Sequence, residues 1–76
     1  MSNIKFVWDF YGPDSKSLAE HHLVHLIDFI SKENFLSIDS GVSIDSDNYA
    51  YSFIILDSSH LEIIKLKLKP HQAFKA

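Results

Sequence analysis

Residues Ile4–Asp14 read IKFVWDFYGPD, and the fold turns on how this stretch is read. β-branched and aromatic side chains dominate up to Tyr11, and they alternate. Ile4, Phe6, Trp8 and Phe10 fall on one face, with Lys5, Val7, Asp9 and Tyr11 on the other. A period of two marks a strand. Gly12-Pro13 is a turn dipeptide that ends it, Asp14 can cap a following helix, and Ser17 with Glu20 has the spacing of a capping box.

Downstream the period changes. Ala19, Leu23, Leu26, Ile27 and Ile30 form one stripe of a helical wheel, opposite His21, His25, Asp28 and Lys32, so an amphipathic helix is expected from about Asp14 to Glu33. Asn34 suits its end, because asparagine tolerates the left-handed conformation that commonly closes helices. From Phe35 to Ile44 the alternation returns. Leu36, Ile38, Val42 and Ile44 lie on one face and Phe35, Ser37, Asp39 and Ser43 on the other, with Gly41 as a candidate bulge. Asp45–Asn48 is a hairpin turn leading into a second, stronger strand, Tyr49–Leu56, with sequence YAYSFIIL. The last segment points two ways, since Ile64–Lys69 alternates like a strand while Ser59 and Glu62 announce a helix. The helix, from about Ser59 to Lys69 with Leu61, Ile64 and Leu68 buried and Pro70 as terminator, is the preferred reading. The tail can add a short edge strand.

The order strand, helix, strand, strand, helix is that of a ferredoxin-like α+β domain with a missing or vestigial last strand, an antiparallel sheet carrying two helices on one face. Through Tyr11-Gly12-Pro13-Asp14, and through the helix that opens at Ser58-Ser59 directly after a strand, the chain resembles the small dimeric α+β barrel group that includes the YCII-related domains. The resemblance covers most of the chain by topology, and it implies pairing of two copies through their sheets.

The residues point the same way. With helices on one sheet face, the other carries Val7, Tyr11, Phe35, Tyr49, Tyr51, Phe53 and Ile55, an apolar surface that a single 76-residue domain has nothing left to cover. A homodimer packed sheet against sheet is expected; an exposed face, or one lining a ligand cleft, is the competing reading. Size argues similarly, because a chain of 8.7 kDa without cysteine lacks both a large core and disulfides.

Charge narrows the partners. The net charge is -3 and there is no arginine, which speaks against nucleic acid, whose phosphates are bound by clustered basic residues. No apolar run approaches the roughly 20 residues of a membrane span, and the first residues lack the pattern of a signal peptide, so a cytoplasmic location is expected.

Two sets of side chains are candidates for chemistry. His21 and His25, spaced i and i+4 with Asp28 one turn on, can grip a divalent transition metal such as zinc; the plainer reading is a solvated helix face. His22 lies at the margin of the apolar stripe, and the topology brings it with His71, Asp9 and Tyr11 toward one end of the domain, as a general-base arrangement or simply a histidine satisfied by its neighbours. Asp57, Ser58, Ser59 and His60 hold the residue types of a triad at adjacent positions, where side chains diverge. A homodimeric binding or accessory domain without a required cofactor is the preferred expectation. The alternative is a histidine-based metal protein or a small enzyme using a His/Asp pair.

Overall fold

The computed structural model describes residues 2–76. The first alternating stretch is strand β1 (Asn3–Tyr11), followed by helix α1 (Ser15–Lys32), strands β2 (Asp39–Ser46) and β3 (Tyr49–Asp57), a 3-10 turn (Ser58–His60), helix α2 (Leu61–Leu68) and strand β4 (Gln72–Lys75). The sheet is antiparallel in the order β2-β3-β1-β4. This is an α+β arrangement of the ferredoxin-like kind, two split β-α-β units sharing one sheet. The expected vestigial last strand is present as a four-residue edge on β1.

Register decides what each face holds. Phe6 pairs with Ile54 and Trp8 with Ser52, so the even residues of β1 and β3 share the helix side. There Phe6, Trp8, Ile54 and Leu56 join Leu26 and Ile30 of α1 and Ile64 of α2 in one buried cluster, which puts both helices on this face. Trp8 is 3% exposed, and its indole N–H donates to the Leu68 carbonyl at 2.8 Å, so the large ring is buried without stranding its polar atom.

Gly12 has φ +103, a backbone region open to glycine, and its N–H donates to the Asn48 carbonyl at 2.8 Å, fastening the start of α1 to the β2–β3 hairpin. Asp14 makes no side-chain cap bond and Ser17 Oγ donates back to the Asp14 carbonyl, so the expected cap and capping box are not formed.

The exit from α1 explains the largest departure from expectation. Asn34 has φ 59, its N–H reaches the Ser31 carbonyl at 3.2 Å and the Phe35 N–H reaches the Ile30 carbonyl at 3.0 Å, the paired bonds of a Schellman motif. That motif folds Phe35 back over the helix, where its ring meets Phe29 at 6.3 Å and stacks on His60 at 4.0 Å. Phe35 is therefore absent from the open sheet face, and β2 starts at Asp39, leaving Leu36 and Ile38 exposed. The bulge lies between Ile44 and Ser46 instead of at Gly41, and the strands run closer to the turn than Asp45–Asn48 allowed. Ile27, expected in the buried stripe, is 48% exposed.

At the far end the helix reading of 59–69 holds. Asp57 Oδ2 accepts the Ser59 N–H at 2.9 Å and caps the 3-10 turn. Lys69 closes α2 at φ 47, just before Pro70. No helix is long and apolar enough to cross a membrane among the described residues.

Candidate functional site

The odd-numbered residues of β1 and β3 form the open face. Tyr11 stacks on Tyr49 with centroids 4.9 Å apart and an 18° tilt, Tyr49 meets Tyr51 at 6.1 Å and Tyr51 meets Phe53 at 6.2 Å, so four rings run in a row. Lys5 holds its ammonium 5.3 Å from the centre of the Tyr51 ring and 4.6 Å from that of Phe53. A cation over two aromatic faces is partly compensated without a carboxylate. Gly41 sits in register with Phe53, and a Cβ there would lie 3.2 Å from the ring, so the missing side chain is what lets Phe53 spread over β2. On the far side of β1, Phe74 pairs with Lys5 and extends the apolar surface onto β4. Val7 is 3% exposed in its midst.

Beside the middle of the row is a polar node around Asp9, whose side chain is 7% exposed. Tyr49 donates to Asp9 Oδ1 at 2.5 Å, and Gln72 Nε2 donates to Oδ2 at 2.8 Å. The carboxylate beside the Tyr49 hydroxyl holds its proton, pushing its pKa well above the usual tyrosine value. His71 completes the group from the edge. Its backbone N–H donates to the Val7 carbonyl at 2.9 Å, its Nδ1 accepts the Asp9 backbone N–H at 2.8 Å, and the same nitrogen lies 3.9 Å from Asp9 Oδ2. Accepting at Nδ1 makes this ring neutral with its proton on Nε2. Asp9, Tyr49, Gln72 and His71 thus join β1, β3 and the start of β4.

His22 does not share this node. Its ring packs 5.3 Å from Trp8 and 5.5 Å from Phe10, both on the helix side, whereas Asp9 points to the opposite side of the same strand. The expected constellation His22, His71, Asp9 and Tyr11 therefore divides: Asp9 and His71 meet, Tyr11 joins through its stack on Tyr49, and the sheet separates His22 from them. Burial lowers the His22 pKa below the usual histidine value, and its Nε2 is buried without a hydrogen-bond partner among the described residues.

On the solvent side of α1, His21 and His25 approach to 3.1 Å between their Nε2 atoms. Asp28 is drawn instead to Lys32 at 3.0 Å, and no group of three or more metal-ligating side chains occurs among the described residues. The adjacent triad types are spent on structure: Asp57 caps Ser59, which holds its carboxyl below the usual aspartate value, and His60 stacks on Phe35.

Gln72, Phe74 and Lys5 are parts of this surface that a reading by residue type passes over. Strand alternation already put Lys5 on the open face; Gln72 and Phe74 became visible only with the β1–β4 register. Comparison with protein-family models, with curated proteins and with solved structures found no match.

Proposed function

We propose that this chain is a self-associating α+β module whose working form is a homodimer packed open face to open face. The observation that carries this reading is the aromatic row Tyr11-Tyr49-Tyr51-Phe53 with Val7, Ile55 and Phe74 around it, on the side of the sheet that neither helix covers. Strands of nine, eight, nine and four residues, at about 3.3 Å per residue and about 4.8 Å spacing, give a footprint of roughly 475 Å². Two such footprints come to roughly 950 Å², close to the approximately 1,000 Å² expected of a specific interface. An isologous pairing brings the same patch from both copies and leaves the helices and the His21–His25 pair outside. In this reading the role is that of a binding or accessory domain, with the Asp9 node lying within the interface beside the aromatic row.

Sedimentation velocity over a wide concentration range tests it. A species of twice 8.7 kDa is expected. Tyr51→Glu, which places a charge in the middle of the row, should return the protein to 8.7 kDa with its far-ultraviolet circular dichroism unchanged. A wild-type protein that stays monomeric at the highest soluble concentration overturns the proposal.

A further inference from the structure

The solvent face of α1 carries a feature that self-association does not use. His21 and His25 are both exposed, stand one helical turn apart, and hold their Nε2 atoms 3.1 Å from each other with ring centroids at 4.7 Å. Two neutral imidazoles so placed share one proton: one Nε2–H donates to the lone pair of the other. The distance is also that of two ligands on one metal. With metal–imidazole bonds of about 2.0–2.1 Å, nitrogens 3.1 Å apart subtend about 95–102° at the metal, between the square and the tetrahedral angle.

We propose that His21 and His25 form a two-nitrogen clamp for a divalent late transition metal, with copper(II) as the preferred ion. Copper(II) stands highest in the affinity order for nitrogen ligands and accepts tetragonal N,O coordination, so two adjacent nitrogens plus water complete its equatorial positions. A tetrahedral zinc site asks for three or four protein ligands, and this face offers two. Loading is balanced without oxidation or reduction. The shared proton moves to Nδ1 of the donating ring, the two freed Nε2 lone pairs bind the ion, and two waters leave it. Little ordering is required, because the rings already touch and α1 is fixed to the core on its opposite side by Ala19, Leu26 and Ile30.

The test uses the full chain, free of any affinity tag and stripped with a chelator, titrated with copper(II) chloride at pH 7.5. Isothermal titration is expected to show one saturable equivalent, with electron paramagnetic resonance reporting nitrogen ligation. His21→Gln and His25→Gln should each weaken binding at least tenfold and leave the metal-free thermal midpoint in place, since both side chains face solvent. Copper should raise the midpoint of the wild type and of His60→Gln, but of neither clamp variant, because a ligand that binds the folded chain stabilises it. Binding that survives unchanged in both clamp variants, or zinc binding tighter than copper, overturns the assignment.

Discussion

Replacing Tyr49 with phenylalanine removes one oxygen and keeps the ring, so the aromatic row persists while Asp9 loses a donor. The lost bond, at 2.5 Å, has as its acceptor a carboxylate whose side chain is 7% exposed. Hydrogen bonds to charged groups contribute about 1.5–3 kcal/mol. The remaining donor from Gln72 keeps the cost from the top of that range, and about 2 kcal/mol is expected. That is a large share of the roughly 4–11 kcal/mol available to a domain of 76 residues. At about 4–8 °C per kcal/mol for this size, the thermal midpoint should fall by about 8–16 °C. Urea denaturation followed by circular dichroism, at one protein concentration for all variants, gives the free energy. A double-mutant cycle with Asp9→Asn should return a coupling above about 1 kcal/mol. A Tyr49→Phe protein within about 0.5 kcal/mol of wild type, or a coupling near zero, would show that the carboxylate does not depend on this hydroxyl and refute the argument.

Two further outcomes follow from buried polar atoms on the helix side. Ser52 is fully buried, with no partner for its hydroxyl among the described residues, so Ser52→Ala should stabilise the protein by about 1 kcal/mol in the same urea assay; a loss of similar size would mean the hydroxyl is satisfied after all. His22 has a pKa lowered from 6.5 by burial, so the unfolded chain takes up its proton more readily than the folded one. Its contribution to stability is complete above pH 6.5 and is lost as the pH falls from there toward the folded-state value. Thermal midpoints measured in chelator-containing buffer should drop over that range, and His22→Phe should flatten the dependence.

Much of the architecture was legible because two periods are written plainly in the chain. Alternation in Ile4–Tyr11 and Tyr49–Leu56, and the three-to-four spacing of Ala19, Leu23, Leu26 and Ile30, each impose one geometry. Phe35–Ile38 misled for a physical reason. Their alternation is genuine, but the backbone bonds that close α1 at Asn34 and Phe35 outweigh a few residues of strand pattern and turn Phe35 onto Phe29 and His60. The site was less legible. Alternation put Asp9 and Tyr49 on the open face, but their contact depends on the pairing register of β1 and β3, which lie far apart in the chain. His22 and Asp9 were grouped by their nearness to one end of the domain. The pleat of β1 separates them, and that separation is recoverable from the parity of Trp8, Asp9 and Phe10 once His22 is known to rest on the even-numbered side.

The imidazole of His71 has a wider consequence. Because β4 is brief and pairs with β1 only as far as Val7, the amide of Asp9 would otherwise face outward as a vacant rung, the kind of opening that recruits a stranger's backbone. A side chain occupies that rung in place of a strand. The sheet is thereby blunted along this margin against edgewise growth into fibres.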